Sequence, residues 1–122
     1  MSQLILIVDD NENNRKLARD VLEFAGFETV EATGGVEAVA LTIEHLPALV
    51  LMDIRMPDMN GTEALKLLRE DSRTAEIPIV ALTSSTMRGD EQRFLAEGFD
   101  GYLAKPISVR DFPDQVRGFL KA

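Results

Sequence analysis

Asp9 and Asp10 follow an apolar run at 4–8, and Asp53 follows a second apolar run at 48–52. If the two runs are neighbouring parallel strands, the three carboxylates converge at one edge of a sheet. Like charges at close range are costly unless a cation or a proton relieves them. The pattern therefore predicts a divalent-ion site with a reactive carboxylate. Two more strand ends carry polar groups: Thr83 after a run at 77–82, and Lys105 after a run at 101–104. Acids, a hydroxyl and an ammonium are thus expected in one pocket. Asp10 or Asn11 could instead cap the helix that follows. Capping does not account for two consecutive acids plus a third one strand away.

Positioning these groups requires a regular alternation of strand and helix. Leucine, alanine and valine spacing predicts a helix over 11–25, with Leu17, Ala18, Val21, Leu22 and Ala25 inward and Gly26 as its stop. A short strand follows at 27–31, then a helix over 36–44 after Gly34-Gly35, with Ala38, Val39 and Ile43 inward. The segment 57–61 reads as a loop, 62–70 as a helix using Ala64, Leu65 and Leu68, and 88–97 as a helix stopped by Gly98. A last helix runs toward Leu120 with Ser108 as its natural N-cap; Pro113 requires that it begin near Phe112 or be kinked in its first part. Near-continuous apolar strands joined by helices make an α/β fold, a doubly wound (βα)5 parallel sheet covered on both faces. Ligands in such sheets bind outside the carboxyl ends of the strands.

A chain of 122 residues, 45% of them apolar, supports one domain with its own core and not two. Without cysteine it has no disulfide, thiolate ligand or thiol nucleophile. A formal charge of -8 argues against a nucleic-acid surface. No signal peptide and no membrane span are expected, which leaves a cytoplasmic protein as the default. The one histidine, His45, is expected exposed at a helix end, as a C-terminal cap residue and not a catalyst.

In this order the pieces Ile7-Val8-Asp9-Asp10-Asn11, Leu51-Met52-Asp53-Ile54-Arg55-Met56-Pro57, Asn60-Gly61, Ala81-Leu82-Thr83 and Lys105-Pro106 resemble the receiver domain of two-component response regulators, the CheY-like family. The likeness spans nearly the whole chain. Asn11-Glu12, Met87-Arg88-Gly89-Asp90-Glu91 and Lys105-Pro106-Ile107-Ser108-Val109 look most like DivK-type single-domain regulators of bacterial cell-cycle signalling. The resemblance implies a flavodoxin-like strand order of 2-1-3-4-5 and a single receiver domain over 1–122 with no output domain. It implies Asp53 as phosphoacceptor. Mg²⁺, or Mn²⁺ in its place, would be held by Asp10, by Asp9 mainly through water, by Asp53 and by the backbone carbonyl of Arg55. Lys105 would pair with Asp53 at rest and with a phosphoryl oxygen after transfer, aimed by a cis bond to Pro106. Thr83 and the backbone N–H of Ser84 would bind the phosphoryl group, and Tyr102 would turn inward as Thr83 moves. Arg55 and Ser85 would flank the path of the hydrolytic water and set acyl-phosphate lifetime.

The implied partners are a histidine kinase or histidine phosphotransfer protein and a downstream protein target, with neither nucleic acid nor membrane. The kinase would dock near Asn14, Arg15 and Ala18, with Asn13 on the rim. The output face would include 87–96, Tyr102 and the final helix, whose Pro113 departs from the usual pattern. Such a chain, a monomer or weak dimer, assists its own phosphorylation and dephosphorylation and turns over no metabolite. Two alternatives stay open: a docking module that needs no phosphorylation, and a small Mg²⁺-dependent hydrolase with an aspartate nucleophile.

Overall fold

Five short strands pair in parallel in the order β2-β1-β3-β4-β5. The computed structural model describes residues 3–83 and 90–120. In chain order the elements are β1 (Leu4–Val8), α1 (Glu12–Phe24), β2 (Glu28–Ala32), α2 (Gly35–His45), β3 (Leu49–Asp53), α3 (Gly61–Glu70), β4 (Ile79–Thr83), α4 (Asp90–Glu97), β5 (Gly101–Ala104) and α5 (Phe112–Phe119). This is the expected (βα)5 sheet with the flavodoxin-like order. Among the described residues no helix is long and apolar enough to cross a membrane.

The two-residue period of a strand divides the core. Leu6, Val8, Val50, Met52, Ile79 and Ala81 face one side, where α2, α3 and α4 bring Ala38, Ala64, Leu65, Leu68 and Phe94. Ile5, Ile7, Leu49, Leu51, Val80 and Leu82 face the other, where α1 and α5 bring Ala18, Leu22, Phe112 and Val116. Both strand faces are covered, so the central strands read as continuous apolar runs and not as alternating ones.

Helix ends explain where the strands begin. At the end of α4, Gly98 adopts a φ of +114°, which a side chain would resist. Its N–H donates to Leu95 O at 3.1 Å, and the Phe99 N–H donates to Phe94 O at 3.1 Å. This double closure is accompanied by its characteristic apolar contact. The rings of Phe94 and Phe99 meet edge to face, with centroids 5.9 Å apart, an arrangement that contributes about 0.5–1.5 kcal/mol beyond buried area. The same hydrogen-bond pattern closes α1, where Phe27 N–H donates to Leu22 O at 3.0 Å. Phe27 therefore belongs to the helix closure, and β2 starts one residue later than the sequence suggests. Likewise β4 starts at Ile79, because Pro78 lacks an N–H and Arg69 holds the carbonyls of Ala75 and Ile77 at 3.0 and 2.7 Å.

Three further expectations are corrected. Ser108 is not the N-cap of α5; Asp111 is, and Ser108 heads a preceding turn in which its carbonyl accepts the Phe112 N–H at 2.8 Å. Pro113 then sits in the first turn, where its missing N–H leaves no hydrogen bond unmade, so the helix simply begins at Phe112. Leu17 is 38% exposed, because the buried stripe of α1 is centred on Ala18 and Leu22. His45 is exposed as expected, but the residue that ends α2 is Leu46, left-handed at φ 46°.

Gly61 begins α3 against the backbone of the β3 end. A Cβ there would lie 2.5 Å from the Asp53 carbonyl oxygen and 3.0 Å from Ile54 Cα. Both neighbours are backbone and cannot swing aside. Gly61→Ala is expected to destabilise the fold by about 1–3 kcal/mol, read as a lower urea midpoint at unchanged m-value. An unchanged midpoint would refute this packing.

Candidate functional site

The acids sit where the sheet ends. Asp9, just past β1, is 1% exposed; its N–H donates to Ala32 O at 3.1 Å, and its Oδ1 accepts the Asn11 N–H at 2.9 Å. Its carbonyl accepts from Arg15 Nη1 at 2.9 Å, and Arg15 Nε is held by Glu31 of β2 at 3.3 Å. Asn11 caps α1 by accepting the Asn14 N–H at 3.1 Å. The capping role thus falls to Asn11. Asp10 is exposed.

Asp53 is the last residue of β3, not the first after it, because it stands opposite Leu82 in the ladder. The residue is 6% exposed, and its Oδ1 accepts the Arg55 N–H at 3.2 Å. Thr83 is the last residue of β4, opposite Ala104 of β5, and is buried. Lys105 follows immediately, and its N–H donates to Thr83 O at 2.8 Å. The Lys105–Pro106 bond is cis.

These strand ends converge. One carboxylate oxygen from each of Asp9, Asp10 and Asp53 lies within 4.8 Å of the others. Lys105 Nζ approaches Asp9 Oδ2 at 2.7 Å and Asp53 Oδ2 at 3.1 Å. The sequence reading paired it with Asp53 alone. All four groups line a cleft of about 350 Å³ together with Asn11, Asn14, Ile54, Arg55, Thr83, Arg93 and Phe94. Burial raises Asp53 above its ordinary range, outweighing the pull of the Lys105 charge and hydrogen bond, and the Asp9 charge adds to the rise. Burial works against the charge on Lys105, but the hydrogen bond to Asp9 and the charge of Asp53 outweigh it and hold the ammonium protonated. Oxygen-only donors, one buried pair and one exposed, suit a hard divalent ion that keeps several waters.

The loop after β3 is tied down by a residue that the sequence reading did not single out. Asp58 accepts the N–H groups of Gly35 and Val36 at 3.0 and 3.1 Å, across to the first turn of α2. Those two backbone bonds hold its carboxyl below the usual range. The Gly34-Gly35 pair, with no side-chain cap, was the available signal that a distant acceptor was needed. Arg93, expected only as part of the 87–96 output face, also lines the cleft. It reaches the cleft from α4, its guanidinium carbon 5.0 Å from the centroid of the Phe94 ring. Phe94 in turn packs against Tyr102 with centroids 6.2 Å apart. Tyr102 is half-buried on β5.

Two of the expected docking residues are placed otherwise. Ala18 is buried beneath α1, and Arg15 turns inward to Asp9 and Glu31. Asn13 and Asn14 are exposed, and Asn14 lines the cleft. Ser84, Ser85 and the 87–89 part of the expected output face lie outside the described residues.

The chain matches the response regulator receiver domain over residues 5–117. It is 42% identical over 120 residues to the polar-differentiation response regulator DivK of Brucella ovis, and equally to that of Brucella abortus, covering 98% of each chain. Among solved structures it resembles the chemotaxis response regulator CheY4 of Vibrio cholerae, with a TM-score of 0.92, 30% identity and coverage of 98% of this chain and 100% of that one. It also resembles the receiver domain of a Pseudomonas aeruginosa sensor histidine kinase, solved with a magnesium ion coordinated in its active-site cleft. There the TM-score is 0.88, with 28% identity and 98% of each chain covered.

The raised Asp53 has a thermodynamic consequence. A carboxyl that holds its proton more tightly when folded contributes stability that is complete below its ordinary value of 3.8 and is lost as pH rises through the higher folded value. Asparagine cannot ionise. In chelator-treated buffer, Asp53→Asn is therefore expected to be more stable than wild type at pH 7, with the gap closing as pH falls through the raised folded value and fully closed below about 4. Urea titrations across this range measure it, and a wild type as stable as the variant at pH 7 would contradict it.

Proposed function

Because the chain belongs to the response regulator receiver domain family of two-component signalling, we propose that Asp53 accepts a phosphoryl group from a histidine kinase or histidine phosphotransfer protein. The observation that carries this reading is the buried Asp53 carboxylate, 3.1 Å from Lys105 and clustered with Asp9 and Asp10 at the open edge of the sheet. An Asp53 oxygen attacks phosphorus in line with the phosphorus–nitrogen bond of the donor histidine. That bond breaks, its electron pair stays on the imidazole nitrogen, and an acyl phosphate forms.

A carboxylate is a weak nucleophile, so alignment and charge neutralisation supply most of the acceleration. Asp9, Asp10, Asp53 and the Arg55 carbonyl are the groups that would hold Mg²⁺, which when bound supplies positive charge against the phosphoryl oxygens. The Arg55 N–H, already on Asp53 Oδ1, orients the carboxylate. Lys105 is charged and shared between two acids, and can follow a phosphoryl oxygen when one arrives. The Thr83 hydroxyl, one strand over, donates to the same group. The added charge of about -1.5 to -2 then draws Thr83 and Lys105 inward and shifts the population toward a second packing around Tyr102 and α4. A protein target distinguishes the two states. The relatives named polar-differentiation response regulators support a role of that kind, and the proposed compartment is the cytoplasm.

Purified phosphorylated histidine kinases and phosphotransfer proteins, tested as donors, are expected to label the wild type rapidly in Mg²⁺. EDTA and Asp53→Asn each abolish labelling. Lys105→Gln slows it by about 10²-fold or more, the scale on which an electrostatic donor contributes to catalysis. A folded wild type that takes label from no donor, small phosphodonors included, would sink the reading.

A further inference from the structure

The groups assigned so far lie at the ends of β1, β3, β4 and β5. Arg93 comes from a different element. It sits in the middle of α4, lines the same cleft as Asp53 and Thr83, and stacks 5.0 Å over the face of Phe94. Phe94 is almost fully buried and joins Phe99 and Tyr102 in one aromatic cluster. Among the described residues the cations that line the cleft are Arg55, Arg93 and Lys105. Lys105 is committed to two acids, and Arg55 rides on the same loop as the acceptor. Among the described residues, Arg93 is the cation that joins the cleft to α4.

On the basis of the receiver reading above, we propose that Arg93 is a phosphoryl-anchoring residue: its guanidinium binds the phosphoryl oxygens on Asp53 and so transmits their charge to α4. Three features carry this. A guanidinium is a planar fork suited to two oxygens of one phosphoryl group, and its weak hydration lets it stack on an aromatic ring while bonding at its edge. The stack on Phe94 fixes the direction of approach and limits the rotamer freedom lost on binding. A dianionic group added to the cleft makes its charge more negative and brings unfilled acceptor capacity, which the acids partly neutralised by Lys105 do not offer. Movement of Arg93 toward that anion shifts Phe94, and Phe94 touches Tyr102.

The test exploits a difference in sign. Removing one cation from an anionic cleft leaves Mg²⁺ affinity equal or tighter, because cations repel, yet it weakens an anionic ligand. A general loosening of the cleft weakens both. Tyr102 is the only tyrosine and the chain has no tryptophan, so intrinsic fluorescence reports from the aromatic cluster itself. Titrate the full chain with Mg²⁺ alone, and then with beryllofluoride in saturating Mg²⁺ as an analogue of the phosphoryl group, following calorimetry and Tyr102 emission. Arg93→Gln is expected to bind beryllofluoride about tenfold more weakly, to bind Mg²⁺ as tightly as wild type or more so, and to lose most of the emission change. Arg93→Lys, which keeps the charge without the fork, recovers only part of the affinity. Parallel loss of Mg²⁺ and beryllofluoride binding in Arg93→Gln, full recovery in Arg93→Lys, or wild-type behaviour of both variants overturns the assignment while leaving the receiver reading intact. A wild type that binds Mg²⁺ but never beryllofluoride overturns both.

Discussion

Three carboxylates within 4.8 Å of one another would not persist at a sheet edge without opposing charge. At that separation each ionised pair repels by about 3 kcal/mol for an effective dielectric of about 20. Lys105 answers this by touching two of the three acids at once. Its position is set by the end of the β4–β5 ladder, where its N–H donates to Thr83 O at 2.8 Å. The resting site is thus a compensated cluster with a deficit of positive charge. A divalent cation held by the same acids would make up that deficit. Burial of Asp53 sharpens the dependence, since a desolvated carboxylate relies on its neighbours and not on water.

The sheet serves this cluster by bringing four strand ends to one line. Its central strands are short and apolar on both faces, so their register is fixed by packing on two sides at once. The close approach of α3 at Gly61 fixes the start of that helix against the Asp53 carbonyl. The Phe94–Phe99 closure anchors the far end of α4 in the same core that holds the strands carrying the acids. Chemistry and scaffold therefore share residues, and a change in the cleft is felt first by α3 and α4, on one face of the sheet.

The sequence carried the parts of this arrangement that depend on local pattern. Apolar runs, glycine stops and acids at strand ends were enough for the (βα)5 sheet and for the convergence of Asp9, Asp10, Asp53, Thr83 and Lys105. What it lacked came from competition between elements. Phe27 is apolar and β-prone, yet its N–H is claimed by the end of α1. Leu17 and Ala18 both fit the inward stripe, and only the contact with α5 and the sheet decides which is covered. The choice of Lys105 between two acids is set by separations of a fraction of an ångström. Asp58 acts on a partner 23 residues away, and no spacing rule links an acid in one loop to the bare amides of another helix.

The clasp between Asp58 and the first turn of α2 bears on more than local stability. It closes the loop that carries Arg55 into a ring with a neighbouring helix before any ligand binds. Conformational entropy that a mobile loop would surrender on binding has already been surrendered in folding. A ligand arriving at Asp53 thus meets a preorganised backbone, and its affinity is governed by charge and desolvation.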